Sequence, residues 1–261
     1  MDSTKPRPTV YVADNRDQMG RWVARHAAQR INNAIDRRGV ARIVVATGSS
    51  QFEVLDHLCG RDDIEWSKVT GFHLDEYIGI SPDHPASFAR YLRERFVDRV
   101  PISKFHFLHG NRDVDETMIS VGGLLSDSPI DVGLVGIGEN GHLAFNDPPA
   151  DFETTQPYLS VPLDEACRRQ QVGEGWFEDL QAVPERAISM SIRQIMAIQT
   201  LFCSVPDARK ATAVRASIMD EVSNLVPASI LQNHPDTHIV LDKAAAAELD
   251  PDRVDIVRID E

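Results

Sequence analysis

Short β-branched runs alternating with amphipathic helical stretches constrain this chain more than any other feature. Ala41-Arg42-Ile43-Val44-Val45-Ala46 is too short for a helix and dense enough in apolar residues for a strand covered on both faces. Before it, from Asp17 to Gly39, the residues Met19, Trp22, Val23, Ala27, Ile31, Ala34 and Ile35 recur at spacings of three and four. That is an amphipathic helix, with Gly39 placed as its C-terminal cap. The pattern continues with strands expected at Val69 to Leu74, Phe105 to Leu108, Ile130 to Ile137, Ala187 to Met190, Leu201 to Val205 and His238 to Leu241. Helices are expected at Gln51 to Cys59, Pro85 to Val97, Asp115 to Leu125, Asp207 to Met219 and Lys243 to Leu249. Parallel strands need such crossovers, so the expected fold is a single α/β domain over residues 1–261, with a mainly parallel sheet and helices on both faces. The least regular stretch, residues 146–185, reads as a lid or an insertion over the end of that sheet.

The 261 residues are 42% hydrophobic, enough for one sizeable core. A formal charge of −13 works against a nucleic-acid partner or an anionic membrane. An anionic metabolite would then need a local cluster of donors. Cys59, Cys167 and Cys203 show no metal-ligand spacing and read as reduced, buried thiols. The polar start MDSTKPRPTV lacks a signal core and no apolar run is long enough to span a bilayer, so a cytoplasmic protein is expected.

Three motifs could carry chemistry. Thr47-Gly48-Ser49-Ser50 joins a strand to a helix and offers backbone N–H groups and hydroxyls suited to a phosphate, although an ordinary turn capped by Ser has the same look. In Phe72-His73-Leu74-Asp75-Glu76-Tyr77, two carboxylates follow an apolar strand at the edge where α/β sheets bind ligands. Adjacent residues on a strand point to opposite sides, so Asp75 and Glu76 should do different jobs, one as a base and one as a structural contact; both could equally be capping or solvated acids. The third motif, Gly136-Ile137-Gly138-Glu139-Asn140-Gly141-His142, continues to Asp147 and Pro148. Its glycines imply close backbone approach to a ligand, its histidine suits proton transfer, and Asp147 five residues on can fix the imidazole tautomer. For an anion, Arg168, Arg169 and Lys210 are candidates. Lys210 falls in the first turn of a helix, where a cation opposes the macrodipole. The other histidines show no metal-ligand spacing.

These residues together resemble the glucosamine-6-phosphate deaminase/isomerase family, within the superfamily that also holds 6-phosphogluconolactonases. His73 to Gly79 with His84 to Phe88 is similar to "MDEYVGL…HPESY", Gly136 to Pro148 to "GxGxDGHIAFNEP", and Thr47 to Ser50 to the phosphate turn "TGGTP". Arg209-Lys210-Ala211 and Leu231 to Pro235 match "KKALA" and "LQLHP", and the register runs from about Val10 to Leu249. The resemblance implies a modified Rossmann-like domain and conversion of glucosamine 6-phosphate to fructose 6-phosphate and ammonia, without metal or organic cofactor. It implies Asp75 as the base between C2 and C1, His142 for ring opening, and Asn140 and Asp147 at the partner positions. Thr47, Gly48, Ser49, Ser50, Gly136 and Lys210 would bind substrate, and Arg169, or Arg168 beside it, would stand in for the family's phosphate arginine.

The chain departs from that pattern at several points. Asn140 stands where an Asp is usual, Asp147 replaces a Glu, Ser49-Ser50 replaces Gly-Thr, and Gly175-Trp176-Phe177 lacks the arginine of "RFF". A hexosamine 6-phosphate is thus the expected partner, with no nucleic acid and no membrane, and the resemblance allows a homo-oligomer. A lactonase-like hydrolase and a non-catalytic sugar-phosphate sensor are the alternatives. Lactonases usually follow the histidine with a "TASLFP"-like stretch, where this chain has Leu143 to Pro148.

Overall fold

The computed structural model describes residues 9–260; most of the polar N-terminal stretch lies outside them. In chain order the elements are β1 (Thr9–Ala13), α1 (Arg16–Arg38), β2 (Ala41–Val45), α2 (Phe52–Cys59), β3 (Val69–His73), β4 (Asp75–Tyr77) and α3 (Phe88–Arg95). They continue with β5 (Lys104–His106), α4 (Val114–Leu125), β6 (Val132–Val135), β7 (Tyr158–Pro162) and α5 (Glu165–Gly173). The last are β8 (Arg186–Met190), α6 (Ile192–Met196), β9 (Thr200–Val205), α7 (Ala211–Met219), β10 (Thr237–Asp242) and β11 (Asp255–Arg258).

Eight strands form one sheet in the order β11-β1-β10-β9-β6-β2-β3-β5, and every pair is parallel. Helix α1 closes one face as its pattern predicts, burying Met19, Val23, Ala27, Ile31 and Ile35 and ending on Gly39 in the left-handed region at φ 78°. Full burial of a side chain such as Val23 or Ile31 contributes about 1.5–3 kcal/mol. Two apolar clusters lie on the two faces of the sheet. From β2 the chain builds outward through β3 and β5, then crosses back to lay β6 on the other side of β2. The loops after β2 and β6 therefore diverge around a cleft at the carboxyl edge, the arrangement in which open α/β sheets bind ligands.

Several expectations are corrected. The strand expected at Val69 to Leu74 stops at His73, and Asp75–Tyr77 begins a second, three-stranded antiparallel sheet ordered β4-β8-β7. Ala187 to Met190 belongs to this small sheet and not to the parallel one. The helix expected from Pro85 starts at Phe88, because Ser87 is the N-cap and accepts from Arg90 N at 3.3 Å. No helix forms over Lys243 to Leu249: Ala246 N bonds to Asp242 O, but Ala247 N and Leu249 N bond to acceptors three residues back, so the segment is a run of turns. Segment 146–185 contains β7 and α5.

Candidate active site

Four adjacent strands deliver one cleft with about 730 Å³ of open space. It is lined by Thr47 to Ser50 after β2, Leu74 and Asp75 after β3, Gly136 to Gly138 and His142 after β6, and Val205 to Asp207 with Arg209 and Lys210 after β9. Helix α5 adds Gln170, Gln171 and the C-cap residue Glu174, and α1 adds its first residue, Arg16.

The carboxylates after β3 divide as the alternation predicts. Asp75 faces the cleft, 6% exposed, and its Oδ1 has no protein partner. Burial, and secondarily the adjacent Glu76, pushes its carboxyl well above the usual range, to about 8. Glu76 points away and accepts from the N–H groups of Tyr77, Phe88 and Ala89 and from Ser87 Oγ, at 2.7–3.1 Å. It thus fastens the start of α3 to β4, and these bonds oppose the rise that burial imposes on it.

The loop after β6 is built around His142. A Cβ on Gly138 would fall onto the imidazole ring, so only glycine admits the ring there. His142 Nδ1 lies 2.9 Å from Asp147 Oδ1, so the pairing expected from their spacing is direct. Burial alone would raise Asp147, but hydrogen bonds from His142, Asn140 and the Asp164 N–H hold its carboxyl below the usual range. Asn140 does not line the cleft; it stands behind Asp147. Its Oδ1 accepts from His142 N at 3.1 Å, and its Nδ2 donates to Asp147 Oδ1 at 2.9 Å and to Asp164 Oδ2 at 3.0 Å. The amide keeps two carboxylates together, which a third carboxylate could not do. His142, Asp147 and Cys167 offer donor atoms within 4.8 Å of one another. They would close a metal site only after the His142–Asp147 bond broke and the Cys167 thiol, raised by burial, ionised.

The same cleft carries the cations. In the turn after β2, Gly48 adopts φ 92° and its carbonyl accepts from Tyr91 Oη at 3.0 Å, while Arg16 Nη2 donates to Ser49 O. Gln51 Nε2 ties this turn to the β6 loop, donating to Val135 O at 3.0 Å and to Ser50 Oγ at 3.3 Å. Lys210 Nζ lies 3.7 Å from Glu174 Oε1 and 4.0 Å from Glu139 Oε1; burial lowers its pKa and the two carboxylates oppose that. Ala144 (φ 54°) and Asp207 (φ 88°) also line the cleft, so backbone strain among the described residues gathers at this site.

One expected site residue is misplaced. Arg169 does not line the cleft: its exposed guanidinium pairs with Glu165 on the outer face of α5. Arg168 turns the other way, to Leu180 O and Val183 O. The arginines at the cleft are Arg16 and Arg209. Arg16 precedes the helix expected from Asp17, and only the structure, in which α1 begins at Arg16, puts this cation in the first turn of a helix. Gln170, Gln171 and Glu174 had no such signal.

The family model for glucosamine-6-phosphate isomerases/6-phosphogluconolactonase matches residues 14–240. The chain belongs to this family. Among curated relatives, the glucosamine-6-phosphate deaminase of Lactobacillus helveticus is 36% identical over 92% of this chain and 97% of the relative. That of Lactobacillus johnsonii is 35% identical over 79% and 85%. Among solved structures, a monomeric glucosamine-6-phosphate deaminase superposes with a TM-score of 0.82 at 26% identity, over 92% of this chain and 99% of that one. The 6-phosphogluconolactonase of Trypanosoma brucei superposes at 0.77 with 16% identity, over 94% of this chain and all of that one, a likeness of fold alone. The cleft at the strand ends holds the Asp75 carboxyl, the His142–Asp147 pair and the cations Arg16, Arg209 and Lys210. No described helix is long and apolar enough to cross a membrane.

Proposed function

We propose that this chain converts glucosamine 6-phosphate and water to fructose 6-phosphate and ammonia. The observation that carries the reading is one cleft that brings together the unpartnered carboxylate of Asp75, the Asp147-held imidazole of His142 and the cations Arg16, Arg209 and Lys210. The names of the curated relatives favour the same substrate.

The sugar binds with its phosphate at Lys210, Arg209 and the Thr47 to Ser50 turn, and Gly136 lets it approach the backbone. Its C1–C2 end then lies at Asp75 and His142. With Nδ1–H fixed on Asp147, neutral His142 presents Nε2 as a base that takes the O1 proton and returns it to O5, opening the ring. The C2 hydrogen is now α to a carbonyl. Asp75 removes it while the ammonium passes a proton to O1, giving a neutral enolamine, and then returns its proton to C1, leaving an iminium at C2. Water adds to C2, ammonia leaves and the ketose remains. The cationic amine beside Asp75 favours the ionised carboxylate that burial disfavours. Phosphate contacts remote from C2 supply the binding energy that orients the reacting end. Asn140 acts through Asp147, and segment 146–185 serves as the wall that screens the cleft.

The test is ammonia release coupled to ketose-phosphate formation, with glucosamine 6-phosphate and galactosamine 6-phosphate assayed side by side. Turnover of the gluco epimer is expected. Hydrolysis of 6-phosphogluconolactone well above its spontaneous rate, with no ammonia from either amino sugar, would replace this reading with the lactonase one.

A further inference from the structure

Each cation of the cleft already faces a carboxylate. Arg16 lies 3.1 Å from Glu53, and Arg209 donates to Asp207 at 3.0 Å. Lys210 is different. Its two carboxylates, Glu174 at 3.7 Å and Glu139 at 4.0 Å, are beyond hydrogen-bond distance and hold the ammonium by charge alone. Its protons are therefore directed at neither glutamate.

Of the two, Glu174 is the unusual one. Its side chain is 8% exposed, against 35% for Glu139, and it lines the cleft itself. Gln170 Nε2 at 2.8 Å and Trp176 Nε1 at 3.3 Å hold the carboxylate in place. Gln170 Oε1 in turn accepts from Glu139 N at 2.9 Å, so the β6 loop and the end of α5 are linked through the same side chain. Glu174 is also the C-cap of α5, where the helix end already carries partial negative charge. A carboxylate fixed there, largely removed from water and placed in a ligand cleft, repels any anion that Lys210 attracts.

We infer that Glu174 is a specificity-determining residue, an internal counter-ion with which an incoming phosphomonoester must compete for Lys210, and which opposes the dianion more than the monoanion. This rests on reading the surroundings of Lys210 as the phosphate site. The groups facing Glu174 and Lys210 are Glu139, Asp207, Arg209, Arg16 and Tyr77, with Asp75 and His142 in the same cleft; all are common to wild type and the Glu174 variants.

Calorimetric titration with glucitol 6-phosphate, an open-chain phosphomonoester with neither amine nor carbonyl, tests the inference without turnover. Glu174→Gln keeps the acceptor for Gln170 and removes the charge. It is expected to bind the probe about 3- to 30-fold more tightly than wild type at pH 8, and with a smaller gain at pH 5.5, because the second phosphate ionisation lies near 6. KM for glucosamine 6-phosphate should fall in parallel. Glu174→Asp, which retracts the charge by one methylene, should gain less than Glu174→Gln, and exposed Glu139→Gln should gain less as well. Equal or weaker binding by Glu174→Gln, a gain that is the same at both pH values, or no binding by any variant would overturn the inference. Tighter binding of the probe without ammonia release from glucosamine 6-phosphate would remove the proposed reaction and leave the role of Glu174 standing.

Discussion

Two groups of side chains at the cleft are built on opposite plans. In the first, His142, Asp147, Asn140 and Asp164 hold one another at 2.9–3.1 Å. In the second, Lys210 faces its carboxylates only at 3.7 and 4.0 Å. The first plan fixes geometry, which proton transfer demands. The second leaves donors free to change partners, which binding a phosphate demands. On this contrast, substitutions in the first group should damage kcat and those in the second KM.

The largest expected effect is at Asp75. Asp75→Asn should lower the deamination rate by about 10²–10⁴-fold, read as ammonia release at saturating substrate. The same variant should be more stable. The folded carboxyl holds its proton up to about 8 while the unfolded one releases it near 3.8, so wild-type stability falls as pH rises through that window. The advantage of Asn should be absent below pH 4 and reach a few kcal/mol by pH 8. Denaturant unfolding at both ends of the window checks it, and an advantage that is independent of pH would contradict it.

Next comes Lys210→Met, which removes the ammonium and leaves Glu174 and Glu139 facing the cleft unopposed. KM for glucosamine 6-phosphate should rise about 10- to 100-fold, with a much smaller change in kcat. A loss confined to kcat would break the comparison.

Asn140→Asp comes third. It replaces the amide that joins Asp147 and Asp164 with a third carboxylate, at a cost of about 1–3 kcal/mol in stability. kcat should fall about 10-fold at pH 8 and recover in part on acidification, as one of the three carboxyls takes up a proton. An Asn140→Asp enzyme as active as wild type would show that the bracket behind His142 is dispensable. The smallest effect is at Arg169→Ala, on the outer face of α5: stability should change by less than about 0.5 kcal/mol and KM by less than about twofold.

Two helices show why some of this was legible and some was not. α1 packs against the sheet, so its Met, Val, Ala and Ile positions repeat with the helical period, and its limits and cap were readable from sequence. α5 buries only Cys167 and Gln171, because the rest of its inner side, Gln170 and the C-cap Glu174, lines the cleft instead of the core. With no apolar stripe it leaves no periodicity, and its sequence reads as part of an irregular segment. The Lys243 to Leu249 run differs in the other direction: its alanines suit a helix and Asp242 Oδ1 takes the Ala245 N–H at 2.7 Å as a helix cap would, but after Ala246 the backbone bonds fall back to acceptors three residues away and the chain continues as turns.

The sequence by itself determined the parallel α/β architecture, the glycine-shaped loops at the strand ends and the His142–Asp147 pairing. Each is written in local spacing: strand and helix periods, glycines at turns, and two side chains five residues apart. Tertiary structure alone decided that Arg16, Arg209 and Glu174 share the cleft with Lys210, that Arg169 faces solvent, and that Asn140 braces two carboxylates instead of facing the ligand. Those residues come from separate loops and helix ends and follow no periodic rule. They meet because the order of β9, β6, β2 and β3 places their carboxyl ends side by side.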